Sequence, residues 1–196
     1  RIYKTYQEMA EKESVRPDGI DVVSIVTPNH LHVPIAKIFA EKGIHIICDK
    51  PIGMSSEEAI DLKKIIESKK LIFALTHNYT GYPMVRHARS LVQKGDLGSL
   101  RVIQAEYPQD WLTTKAEDSG LKQAEWRTDP NRSGAGGCIG DIGTHAYNLI
   151  RFITGLEVDE ISADIHTFVE GRQVDDNAQI MLRFRGGAKG SIWSSQ

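Results

Sequence analysis

Three stretches of the sequence gather side chains that can move protons or stabilise charge. The first is Cys48-Asp49-Lys50-Pro51, which follows the apolar run Ile44-His45-Ile46-Ile47. An ammonium at the end of a buried strand can stabilise negative charge developing on a substrate oxygen. An Asp-Lys pair that merely ends one element and caps the next is the plainer alternative. The second stretch runs from Gly134 to His145 and reads GAGGCIGDIGTH. Asp141 and His145 are four residues apart, so on an α-helix they share a face. A carboxylate one turn from an imidazole can orient it and tune a general acid or base that works near neutral pH. The alternative is an acid placed at a helix N-terminus by the helix dipole, followed by a hydrogen-bonded structural histidine. The glycines let the backbone come close to a ligand. Cys138, Asp141 and His145 also carry zinc-ligand chemistry, at i, i+3 and i+7.

The third stretch is His77-Asn78-Tyr79, at the end of an expected strand. Trp126-Arg127, in an expected loop, offers an apolar wall and a hydrogen-bond donor to a polar substrate, or else a loop anchored by its Trp. His30 and His32 stand two apart; they fit the lining of a cleft or a helix cap better than a metal pair. His45 fits a structural place within a strand.

These residues need elements to position them. Residues 21–28 (DVVSIVTP) and Ile44–Cys48 are near-continuous apolar runs, which predict parallel strands covered on both faces; residues 71–77 (LIFALTH) predict a third strand. Between them, Leu31, Ile35, Ile38 and Phe39 have helical spacing with Gly43 as a stop. Residues 55–70 form a second amphipathic helix that Ser55 or Ser56 can cap. Strand, helix, strand, helix, strand is the pattern of a doubly wound sheet, whose ligands bind outside the carboxyl ends of the strands. Thr27-Pro28-Asn29, Asp49-Lys50 and His77-Asn78-Tyr79 occupy those ends. Beyond residue 77 the pattern changes. A helix closes at Gly95, a strand follows from Leu100, and residues 112–140 read as a long polar loop. A helix then runs from Asp141 to Gly155, and three alternating segments predict antiparallel strands. The fold class is α/β: the C-terminal half of a Rossmann-type domain over residues 1–76, then an α+β domain with a mainly antiparallel sheet over 77–196.

The chain has 196 residues, 40% hydrophobic and 26% charged, with a formal net charge of −2. That balance points to no nucleic-acid partner and to no anionic membrane surface. No apolar run reaches the length of a membrane span and no signal peptide is visible. Cys48 and Cys138 fit no disulfide framework, which favours the cytoplasm. The first residues, RIYKTYQEMAEKE, read as a helix already under way, and the last stop within a strand pattern. The chain is therefore expected to be the middle of a longer protein.

Taken together, SIVTPNHLH, ICDKP, THNY, EWR and GGCIGDIGTH, in this order and spacing, resemble the glucose–fructose oxidoreductase / inositol dehydrogenase / rhizopine-catabolism (Gfo/Idh/MocA) family. The resemblance spans nearly the whole chain. It implies a dehydrogenase that uses NAD or NADP, with NAD favoured, on a small-molecule polyol or sugar. FALTHNYTGYPMVR is similar to a subgroup that includes levoglucosan dehydrogenase and implies a cyclic sugar or anhydrosugar. The catalytic group it implies is His145 as acid/base, Asp141 orienting it, and Lys50 beside the reacting oxygen. Lys50 and His145, from separate domains, would then converge. Thr27, Pro28, Asn29, His32, Asp49, Lys50 and Asn78 would line the nicotinamide-ribose side. Tyr79, Trp126, Arg127 and Asn148 would bound the sugar pocket. A homo-oligomer, dimer or tetramer, is also implied.

Three positions depart from the family's pattern: Asp49 stands for Glu, Thr80 for an arginine, and Asn148 for an acid. No Gly-x-Gly-x-x-Gly occurs, so the phosphate loop is expected upstream. A non-catalytic dinucleotide-binding regulator and an NAD-dependent glycosidase of the same fold remain as alternatives.

Overall fold

A computed structural model describes all residues, 1–196. They form two compact units, Arg1–Thr76 and His77–Gln196.

The first unit opens with helix α1, Tyr6–Glu13. Residues 1–5 lie outside it, contrary to a helix already under way at residue 1. Thr5 sets the boundary: its side chain accepts the Glu8 N–H at 3.1 Å, and the Glu8 carboxylate accepts the Lys4 N–H at 3.0 Å. Such reciprocal bonds satisfy donors that the first turn leaves without partners. Strands β1 (Val22–Ile25), β2 (His45–Asp49) and β3 (Phe73–Thr76) pair in parallel in the order β1-β2-β3. Helices α2 (His32–Glu41) and α3 (Ser56–Ser68) make the crossovers. Ser55 caps α3 by accepting the Glu58 N–H, while Glu58 accepts the Met54 N–H at 2.9 Å.

The core of this unit joins Val23, Ile25, Ile46 and Cys48 of the sheet to Val33, Ala36, Phe39, Leu62 and Ile66 of the helices. The opposite sheet face carries Val22 at 46% exposure and Ile47 at 39%. The apolar runs thus fill strands covered on one face by this chain, not on two. Sequential strands joined by crossovers of one hand put their helices on one side.

The second unit begins with helix α4, Pro83–Lys94, which stops at Gly95 with φ +77°. Strand β4 (Val102–Pro108) follows. The expected loop over 112–140 instead folds into short pieces. They are a 3₁₀ turn at Ala116–Ser119, helix α5 (Lys122–Arg127), helix α6 (Pro130–Ser133) and a π turn at Ile139–Gly143. Pieces this short are set by caps, as where Asp129 accepts the Asn131 N–H before Pro130, and show no apolar period. Helix α7 (Thr144–Thr154) ends at Gly155, also left-handed.

Strands β5 (Val158–His166), β6 (Asn177–Phe184) and β7 (Lys189–Ser195) complete a sheet of order β4-β7-β6-β5. β5·β6 and β6·β7 are antiparallel and β4·β7 is parallel, so the sheet is mixed. Ala146 and Ile150 of α7 pack on Leu182, Phe184, Ala188 and Ile192. The other face bears Val102, Met181 and Trp193 at 71%, 66% and 37% exposure.

Candidate functional site

In the first unit, the register aligns Ile25 with Cys48 and Asp49 with Thr76, so the carboxyl ends of the three strands lie at one edge. Thr76 Oγ1 donates to Asp49 Oδ1 at 2.5 Å, tying the ends of β3 and β2. Asp49 is exposed, Lys50 is half-buried, and the Lys50–Pro51 peptide is cis. His32, expected beside a cofactor, is 1% exposed. Its Nδ1 lies 2.7 Å from the Pro51 carbonyl oxygen and its Nε2 2.7 Å from that of Thr27. His32 therefore ties together the main chain beyond the ends of β1 and β2. Thr27 and Pro28 are half-buried and Asn29, which opens a 3₁₀ turn, is buried. Thr27 Oγ1 is buried with no hydrogen-bond partner. Such an atom is costly unless a group outside the chain satisfies it; a nucleotide hydroxyl or carboxamide fits that need. Cys48, behind Asp49, is fully buried, and burial first, then the Asp49 charge, pushes its thiol up to about 12.

In the second unit, His145 sits at the start of α7 with 8% exposure. The Tyr79 ring lies 4.6 Å from it between centroids, that of Tyr107 at 6.2 Å and that of His77 at 6.3 Å. The two tyrosine hydroxyls are 2.5 Å apart. Asn78 and Tyr79 belong to a 3₁₀ turn in this same unit, and Asn148 is half-buried on α7. Asp141 lies in the π turn, where the Thr144 N–H reaches back to the Ile139 carbonyl. The expected straight α-helix from Asp141 onward is thus widened at its start. Asp141 Oδ2 accepts from Gln196 Nε2 at 2.9 Å and faces Arg127 Nε at 3.3 Å. Arg127, expected at substrate hydroxyls, also stacks its guanidinium 4.2 Å above the Trp126 ring and 5.9 Å from that of Trp111. Its Nη1 donates to the Gln123 carbonyl and side-chain oxygen.

The glycine run serves packing as well as any ligand. Asp175 caps the π turn: its carboxylate accepts the Gly137 N–H at 2.7 Å, the Ile139 N–H at 2.9 Å and the Cys138 thiol at 3.0 Å. A Cβ on Gly137 would stand 2.0 Å from the Asp175 carbonyl oxygen. Cys138 is fully buried, and burial, then the Asp175 hydrogen bond and charge, push its thiol well up. The thiol also faces the Ser194 carbonyl at 3.4 Å, so it packs between the π turn and β7. Sequence reasoning missed Tyr107, Gln109, Trp111, Asp175 and Gln196. Only Tyr107 carried a signal, being in phase with Ile103 and Ala105 along β4.

Two family models match the chain: an oxidoreductase family with an NAD-binding Rossmann fold over residues 1–77, and the GFO/IDH/MocA C-terminal domain over 85–196. An uncharacterized oxidoreductase, YfiI, of Bacillus subtilis is 34% identical over all of this chain and 50% of its own length. Levoglucosan dehydrogenase of Pseudarthrobacter phenanthrenivorans is 32% identical over 90% of this chain and 49% of its own. An inositol dehydrogenase homolog from Azotobacter vinelandii, solved with NAD+, superposes with a TM-score of 0.95 at 31% identity. That match covers 98% of this chain and 50% of that one. The chain spans about half the length of the curated relatives it matches. With a parallel, Rossmann-like sheet matched by one model and a mixed sheet with its buried histidine matched by the other, the chain belongs to the GFO/IDH/MocA family of NAD-binding oxidoreductases.

Proposed function

We propose that this chain supplies the cofactor-facing strand ends and the proton-transferring histidine of an NAD(P)-dependent dehydrogenase. Its substrate is a secondary alcohol of a cyclic sugar, anhydrosugar or inositol. Residues 1–76 are then part of a dinucleotide-binding domain, and residues 77–196 part of a substrate and oligomerisation domain. The observation that carries the reading is His145, buried beneath Tyr79 with Asp141 fixed four residues before it. The likeness to levoglucosan dehydrogenase and to the NAD+-bound inositol dehydrogenase homolog supports the substrate class and the cofactor, NAD before NADP.

Nicotinamide, when bound, accepts the hydride from the alcohol carbon. The chain manages the rest. His145 takes the hydroxyl proton, or returns it in reduction, and Asp141 orients the ring and favours its protonated form. Lys50 stabilises alkoxide character on the substrate oxygen. Thr27, Pro28, Asn29, Asp49 and Asn78 hold the nicotinamide-ribose side, with His32 acting through the main chain. The orphaned Thr27 hydroxyl supports that placement. Tyr79, Trp126, Arg127 and Asn148 bound the substrate.

The outer face of the second unit's sheet, with Val102, Met181 and Trp193, is the surface on which copies of the protein associate as a dimer or tetramer. The two cysteines, free and buried, fit the cytoplasm. No helix is long and apolar enough to cross a membrane.

The test is a steady-state assay of the whole protein for NADH absorbance with a panel of sugars, anhydrosugars and inositols. His145→Ala and Lys50→Ala should each lower kcat by about 10² to 10⁴-fold. Wild-type turnover in His145→Ala removes the base assignment. Tightly held nicotinamide with glycoside cleavage and no net NADH would make the protein a glycosidase. Cofactor binding with no turnover would make it a regulator.

A further inference from the structure

Asp141 is held from one side by a chain of hydrogen bonds whose direction is fixed by its far end. The Trp111 indole N–H donates to Gln109 Oε1 at 3.0 Å. An indole can only donate, so the Gln109 atom facing it is the amide oxygen. That same oxygen lies 3.3 Å from the Gln196 side-chain amide, which must therefore turn its nitrogen toward it. The second hydrogen on Gln196 Nε2 points to Asp141 Oδ2 at 2.9 Å. The main chain anchors both glutamines: the Gln109 N–H donates to the Ser195 carbonyl at 2.8 Å and the Gln196 N–H to the Asp176 carbonyl at 2.8 Å. Gln196 is 6% exposed. Arg127 closes the circuit, with Nε 3.3 Å from Asp141 Oδ2 and its guanidinium above the Trp111 ring.

We propose that Gln196 is a positioning residue for the reaction, holding Asp141 as an ionised carboxylate in one orientation through this directed chain. The proposal rests on the assignment of Asp141 and His145 given above. An amide hydrogen aimed at a carboxylate favours its charged form, and the Arg127 guanidinium beside the same oxygen adds an ion pair. Within the second unit, Arg127 from α5 pairs with Asp141, and His145 follows Asp141 four residues on, in α7. Gln196, directly after β7, presents an uncharged amide. The amide of Gln196 therefore adds orientation and a donor without adding charge.

Two near-isosteric variants of the whole protein separate this role from packing: Gln196→Met removes the donor, and Gln196→Glu replaces it with an acceptor that repels Asp141. The first measurement is the carbon-13 titration of the Asp141 carboxyl in the ligand-free protein. Its midpoint should rise from wild type to Gln196→Met, and rise further in Gln196→Glu. A packing role gives no such order. The second is turnover: Gln196→Met should lower kcat roughly tenfold, the worth of one hydrogen bond to a charged group, with the sugar KM within about twofold. The titration needs no turnover. A wild-type protein inactive on every sugar therefore strikes at the dehydrogenase reading, while an Asp141 midpoint unmoved in both variants overturns this proposal alone.

Discussion

Arg172 shows how much a single side chain can hold in place. Its side chain is 1% exposed, yet its Nε and Nη2 each meet the Glu117 carboxylate at 3.0 Å. It also donates to the carbonyls of Leu112 at 2.8 Å and Thr114 at 3.0 Å, and Asp176 lies 3.5 Å away. This bracket straps residues 112–117, just before α5 with its Trp126 and Arg127, to the turn between β5 and β6. Burial pushes the Glu117 carboxyl up, and the Arg172 guanidinium with a main-chain bond more than offsets it, leaving it lowered. A carboxylate lowered on folding stabilises the protein above its unfolded value, and that contribution fades as pH falls through the folded one. Arg172→Met should cost about 3–5 kcal/mol in urea unfolding near neutral pH, the cost of breaking a buried pair. It should also flatten the loss of stability below about pH 4. Unchanged stability in the variant would show the bracket to be idle. Nothing in the sequence announced Arg172, because Glu117, Leu112 and Thr114, which it binds, are more than fifty residues away. Lys50, Asp141 and His145 were legible because each sits in a short string of distinctive residues. Gln196 was not, for the reason that hid Arg172.

Among elements, the turn from Ile139 to Gly143 departs furthest from what periodicity foretells. The apolar stripe of Ile142, Ala146 and Ile150 marked the helix, and those residues are buried. The widened first turn left no mark on that stripe. Its cause is Asp175, which arrives from the loop before β6 and takes the Gly137 and Ile139 N–H groups. Wide turns of this kind recur at functional positions, and this one bears Asp141. Gly137→Ala should therefore destabilise the whole protein by about 1–3 kcal/mol or more, since backbone cannot yield as a side chain can. Gly140→Ala, with nothing within 4 Å of its Cβ, should leave thermal unfolding nearly unchanged. Equal melting shifts for the two would mean that Asp175 does not set the turn. The short helices α5 and α6 were missed for a related reason: single caps define them, and caps look like loop residues.

At the level of the whole molecule, both sheets could be anticipated from the spacing of apolar residues, and the parallel β4·β7 pairing could not. Strand direction across a sheet depends on which distant segment arrives, and alternation along one strand says nothing about it. Coverage of the first sheet was also beyond reach, because a Val- and Ile-rich run looks the same whether one face is covered or two. On the second sheet, Val102, Met181 and Trp193 form an apolar outer face among polar neighbours, the usual mark of an association surface. Met181→Glu should lower the mass of the whole protein measured by light scattering from that of an oligomer to that of a single chain. An unchanged mass would place the contact elsewhere.

The pairing of Val102 with Lys189 has a consequence for how the chain is made. A ribosome releases the first of these strands many seconds before its partner, at about 5–20 residues per second. Meanwhile β4 waits with its edge open and α7 has no floor to rest on. Gln196 follows still later, so the carboxylate beside the histidine acquires its orientation only after β7 has been made.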